Sequence, residues 1–205
     1  MSMISMLGKV AMGIMVAKTV GKAMGGSGSI SDMLGGLLGG SKSGDSSSPV
    51  GNKLPDLMNS LGGSSSKGGG LGDLLSSALN GKKADPTPDQ EEQAKIILKA
   101  MINAAKADGE IDADEQKKIT EHIGEVTPQE IEFVKNEMQG PADPDAVVAA
   151  AKGMEEQVYL MSLLTINLDH QKEAHYLDKL AKGLNISPQA ANEIHQKVGA
   201  PQLYS

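Results

Sequence analysis

Four dipeptides constrain the fold of this chain more than any other feature. Thr87-Pro88, Thr127-Pro128, Asp143-Pro144 and Ser187-Pro188 each place an oxygen-bearing side chain directly before a proline. Proline at the first helical position has its φ preset and loses nothing by lacking an N–H. The residue before it accepts from N–H groups that a helix start leaves bare. Gln90 and Glu130, three residues after Thr87 and Thr127, complete capping boxes, and Asp112 with Glu115 resembles a third. This punctuation predicts an all-α bundle of about seven helices over residues 86–200.

Apolar spacing fills in the helices. Residues 94, 97, 98, 101, 102 and 105 form one stripe on a first helix over 88–106. A second helix follows Asp112 and carries Ile119 and Ile123. A third carries Ile131, Val134 and Met138 and ends at Gly140, and a short Ala-rich fourth spans 144–152. Residues 158–166, VYLMSLLTI, are apolar nearly all round, which predicts the central element of the bundle. A sixth helix over 171–184 buries Ala174, Leu177, Leu180, Ala181 and Leu184, and a seventh over 188–198 presents Ala191, Ile194 and Val198. With no Trp, one Phe and three Tyr, the core must be built from aliphatic side chains, Met and Ala.

The preceding sequence differs in kind. Residues 1–83 carry eight Lys and four Asp, net +4, whereas residues 84–205 carry eleven Lys and twenty-two acids, net −11. Residues 26–85 are Gly/Ser-rich and predict a mostly disordered connector, in which an Asp followed by apolar residues recurs at Asp32, Asp56 and Asp73. Residues 1–25 are apolar apart from Lys9, Lys18 and Lys22 and predict a helix. Their uninterrupted apolar run, 10–17, falls short of the roughly 20 residues that cross a bilayer core. Three expectations stand side by side for it: peripheral or snorkelling membrane association, docking on protein, and a short signal peptide.

One stretch bears on chemistry. Residues 105–120, AKADGEIDADEQKKIT, read as a helix end, a tight turn at Asp108-Gly109 and a capped helix start. Asp108, Glu110, Asp112, Asp114 and Glu115 fall within eight positions. Asp108, Gly109 and Glu115 fit the fifth, sixth and twelfth places of a calcium-binding EF-hand loop. Ala104 and Lys106 occupy the first and third ligand places, so the front half of such a loop is missing. A related pattern recurs at Asp169 and Glu173, followed by Ile186-Ser187-Pro188-Gln189 in echo of Val126-Thr127-Pro128-Gln129. Joined in one bundle, Asp108, Asp112, Glu115, Asp169 and Glu173 would suit a hard divalent cation such as Ca²⁺ or Mg²⁺. The competing reading is that these acids cap helices and complement the positive helix end.

Other function classes find little support. There is no Cys, hence no disulfide, thiolate metal site or Cys nucleophile. All nineteen basic residues are Lys, and an acidic, Arg-free domain with almost no stacking aromatics is unsuited to nucleic acid. His170 and His175 are five apart, about 140° around a helix, and cannot share one face as zinc ligands. His122 and His195 are single helical histidines of the surface or satisfied kind. No nucleophile–base–orienter set and no phosphate-cradling Gly loop is present, so no catalytic residue is assigned.

The residues 107–115, ADGEIDADE, with 158–166, Asp169 and Glu173 ahead of Tyr176-Leu177 and Leu180-Ala181, resemble the tellurite-resistance TerB-like family. The nearest likeness is to its YebE-type branch of bacterial membranes. The resemblance implies a helical bundle with no known enzymatic activity, a divalent-cation site on the acidic turns, and a role near the envelope or in stress response; the apolar, Lys-bearing N-terminal region adds the expectation of association with the bacterial inner membrane or a membrane protein. By that likeness Asp108, Asp112 and Glu115 match a first acidic motif, and Asp169 and Glu173 a second. The second turn, Asn167-Leu168-Asp169, departs from the pattern, which leads one to expect a further acid followed by Pro or Gly. Two alternatives remain: a soluble, cytoplasmic interaction scaffold whose acidic face binds a basic protein partner without metal, and a metal-dependent hydrolase.

Overall fold

Each of the four proline-marked starts begins a helix. The computed structural model describes residues 3, 4, 6, 7, 9, 10, 13 and 14 and residues 87–204. Excepted are positions 110, 112, 124–126, 167 and 169 and the side chains at 114, 115, 118, 122 and 123. Among the described residues the regular structure is helical throughout, with no strand. The bundle comprises α1 (Pro88–Ala105), α2 (Ala113–Ile123), α3 (Pro128–Met138), α4 (Pro144–Ala150), α5 (Glu155–Thr165), α6 (Gln171–Gly183) and α7 (Pro188–Val198).

The capping chemistry is as the residues require. Thr87 accepts from Gln90 N while the Gln90 side chain accepts from Thr87 N at 2.8 Å. Thr127 and Glu130 repeat the arrangement, with Thr127 N donating to Glu130 Oε2 at 2.7 Å. Asp143 and Ser187 accept from Ala146 N at 3.0 Å and Ala190 N at 3.2 Å. Such caps are worth about 1 kcal/mol each, so four of them fix where the chain turns. The helix ends are equally local in cause: Gly153 at φ +80° follows α4, Asn185 at +57° follows α6, and Gly199 at +70° follows α7. Helix α5 begins three residues before its apolar run, because Glu155 and Glu156 favour the positive end of the helix.

Helix α5 is the axis. Val158, Tyr159, Leu160, Met161, Ser162 and Leu163 are all buried, as six consecutive helical residues can be only when neighbours pack on every side. Among the seven described helices, α1 and α5 make the most extensive pair, and α6 and α7 also pack against α5. α1 in turn contacts α3 and α4, and α4 contacts α6. At the α4–α6 crossing Gly183 presents its bare Cα, where a Cβ would fall 2.5 Å from Val148 Cγ2. The stripe predicted for α1 is buried in full, and Ala100, Asn103 and Ala104 join it.

The apolar N-terminal residues belong to the same core. Ile4, Met6, Leu7, Val10 and Ile14 are each at most 3% exposed and cluster with the buried side chains of the bundle. Their spacing places them on one half of a helix. Met3 N donates to the Glu91 carboxylate in the first turn of α1 at 2.6 Å. Full burial of an aliphatic side chain contributes about 1.5–3 kcal/mol, so five of them make docking on the bundle a strong interaction. No helix among the described residues is long and apolar enough to cross a membrane. The connector, with its three Asp-led segments, lies outside the described residues.

Candidate functional site

Two turns carry the candidate ligands, and each is built on a buried isoleucine. After α1, the chain descends through Ala107 N to Ala104 O at 3.0 Å and Gly109 N to Lys106 O at 3.1 Å. It then buries Ile111, whose carbonyl accepts from Gln116 Nε2 at 3.0 Å. Asp108 is left exposed at the apex. After α5, Ile166 is fully buried and Leu168 takes φ +48°. That left-handed conformation costs a branched residue about 1–2 kcal/mol. The departure noted at Asn167-Leu168-Asp169 therefore falls where the backbone itself would favour glycine.

Lys106 occupies the place where an EF-hand loop needs a carboxylate, and the structure gives it another task. Its side chain is buried, and its Nζ donates to Glu137 O at 2.6 Å and Gln139 O at 3.4 Å. An ammonium there satisfies carbonyls that the end of α3 leaves bare and complements the negative end of that helix. Its buried neighbour Asn103 holds the start of α4, with Oδ1 accepting from Asp143 N at 2.5 Å. The first turn is thus anchored to α3, and the last turns of α1 to α4, by polar residues that apolar periodicity could not reveal. Their sequence signal is a polar residue interrupting an apolar stripe.

Glu173 is the counterpart in the second turn. It is 1% exposed, and its Oε2 accepts from His170 N at 3.2 Å. The carboxylate closes the first turn of α6 from the N3 position, as in a capping box. The two turns come together across the bundle: Lys172 Nζ, on the first turn of α6, donates to the Asp108 carbonyl at 3.4 Å. Of the five sequence candidates, Asp108 is exposed on the first turn and Glu173 buried under the second. The placements of Asp112 and Asp169 and the side chain of Glu115 lie outside the described residues. Within the described set, no three His, Asp or Glu side chains converge as a metal-binding group.

The remaining buried polar groups are architectural. His195 is fully buried between α5 and the C-terminal tail. Its Nε2 meets Tyr159 Oη at 2.9 Å and its Nδ1 meets Pro201 O at 2.5 Å. Burial pulls the imidazole below its usual pKa, against the pull of the Pro201 carbonyl, and pushes the Tyr159 phenol up. Asn192 fixes the same tail by donating to Tyr204 O at 2.8 Å and accepting from Leu203 N and Tyr204 N. Tyr204 Oη donates to Asp178 at 2.9 Å, and burial together with that carboxylate pushes the phenol up to about 12. Ser162 and Tyr176 place buried hydroxyls close together without good hydrogen-bond geometry, and burial raises the Tyr176 pKa. His170 and His175 are both exposed.

A family model described as a protein of unknown function, DUF533, matches residues 12–198. The match takes in part of the apolar N-terminal region and the connector as well as the bundle. No curated protein matches the chain, and no solved structure does.

Proposed function

We propose that this chain, which belongs to DUF533, a TerB-like family of unknown function, is a non-enzymatic binding module of the bacterial envelope that takes a divalent cation between its two acidic turns. The observation that carries this reading is the contact of Lys172 Nζ with the Asp108 carbonyl at 3.4 Å. It sets the start of α6 beside the α1–α2 turn, so Asp108 and Glu173, far apart in sequence, share one end of the bundle. It also puts a positive charge against an oxygen of the first turn, the place a Ca²⁺ or Mg²⁺ ion would compete for. Asp108, Asp112, Glu115 and Asp169 would supply oxygens. Glu173 would take part by holding the second turn in shape, as its bond to His170 N suggests.

Envelope association and the YebE-type branch are proposed on the resemblance and on the apolar, Lys-bearing residues 1–25. A second reading has one observation in its favour. Glu173 is spent on capping, and if every acid of the two turns serves a helix start in that way, the domain is an interaction scaffold without metal. Isothermal titration of Ca²⁺ and of Mg²⁺ into the full chain separates the two. The cation reading predicts one saturable site that Asp112→Asn removes. Absence of binding by either ion rejects it in favour of the scaffold.

A further inference from the structure

The buried apolar residues of the N-terminal segment have two uses that exclude each other. Ile4, Met6, Leu7, Val10 and Ile14 are buried in the core cluster of the bundle. Those are the side chains that an amphipathic helix would lay into a lipid surface. We propose that the N-terminal segment is a latent membrane-binding element, sequestered by its own bundle and exchanged onto an anionic bilayer. This rests on the membrane reading of residues 1–25 proposed above and adds the regulation of that contact.

The balance between the two sites is polar in origin. Transfer of aliphatic side chains from water into a protein core or into lipid gains comparable free energy, so the apolar face alone does not choose between them. On the bundle side stands Glu91, whose carboxylate accepts from Met3 N at 2.6 Å. An anion beside a helical N–H is held by hydrogen bond and helix dipole together. For the membrane side, the sequence of residues 1–25 holds Lys9, Lys18 and Lys22 and no acid. An anionic surface attracts these lysines and repels a bundle region of net charge −11, so it favours separation of the two parts. The tether does not oppose it. The connector between residues 14 and 87 has a covalent reach of more than about 200 Å at about 3.3 Å per residue.

Because the chain has no cysteine, two introduced ones report the exchange in the full-length protein. Ser2→Cys and Lys152→Cys, on the segment and on an exposed turn after α4, are spin-labelled. Their separation is measured by double electron–electron resonance with phosphatidylcholine vesicles and with vesicles containing phosphatidylglycerol, alongside co-sedimentation. The expected result is one short distance in solution and with neutral vesicles, replaced by a longer, broader distribution as the chain sediments with anionic vesicles. Glu91→Gln should raise the bound fraction at fixed lipid at least threefold. Glu92→Gln, the same charge change at an exposed neighbour, should raise it much less. Binding to anionic vesicles with the distance unchanged, or equal effects of the two substitutions, overturns the sequestration while leaving the membrane reading intact. No vesicle binding by the wild type or by Glu91→Gln overturns both.

Discussion

The two acidic turns look alike in sequence and are held in opposite ways. Beneath the α1–α2 turn the buried charge is positive: Lys106 caps the C-terminal carbonyls of α3. Beneath the α5–α6 turn it is negative: Glu173 caps the N-terminal N–H of His170. Each buried side chain faces the helix end of opposite sign, and that end stabilises it there. The first turn therefore keeps its acid, Asp108, at the surface, whereas the second has turned an acid inward. An acidic motif thus contains two kinds of carboxylate, one turned inward to shape the turn, as at Glu173, and one kept at the surface, as at Asp108.

Substitutions can break that comparison, and the largest effect is expected at Glu173. Glu173→Ala removes a buried charge-assisted cap and should lower stability by about 2–3 kcal/mol in urea unfolding. Asp108→Asn, at an exposed position, should stay within about 0.5 kcal/mol. Equal losses at the two positions would show that the turns are held alike after all. Lys106→Met comes next: it keeps much of the stem's apolar contact but strips the ammonium from two helix-terminal carbonyls, and should cost about 1–3 kcal/mol. A neutral outcome would mean that α3 ends without help from the first turn. The smallest effect on stability belongs to Lys172→Ala, expected within about 0.5 kcal/mol because the side chain is exposed. Its signature is in binding. Removing the ammonium beside the Asp108 carbonyl should tighten Ca²⁺ or Mg²⁺ several-fold by titration, and weaker binding would show that Lys172 orders the site instead.

Most of the fold was legible because its determinants are local. Thr87-Pro88, Thr127-Pro128, Asp143-Pro144 and Ser187-Pro188 announce helix starts through the chemistry of four consecutive N–H groups. The run 158–166 announces a central helix by lacking a polar face. What could not be read was the assignment of polar residues to partners distant in the chain. Lys106 reaches Glu137, Asn103 reaches Asp143, and Tyr159 meets His195, each through a contact that only the packing of helices creates. Single buried histidines give no periodic signal, although the expectation of a satisfied histidine holds at His195. The N-terminal segment was ambiguous for a physical reason. A helix that docks on lipid and one that docks on protein need the same apolar stripe, and here Ile4, Leu7 and Val10 lie in the protein core. Of the candidate site, the acids and the echo between the turns were legible in the residues, whereas the contact of Lys172 with the Asp108 carbonyl, between residues 64 apart in the chain, was not.

The proposed cation site spans both turns, and a mutant cycle read by thermal unfolding tests that most directly. The full chain, Glu115→Gln, Asp169→Asn and the double substitution would each be melted with and without Ca²⁺ and Mg²⁺. An ion that binds only the folded state, at one hundred times its dissociation constant, stabilises it by about 2.7 kcal/mol. A single shared site predicts that either substitution alone removes most of the ion-dependent rise in midpoint and that the second adds little. Additive halves would mean two independent sites, and no rise with either ion in the wild type would contradict the claim outright.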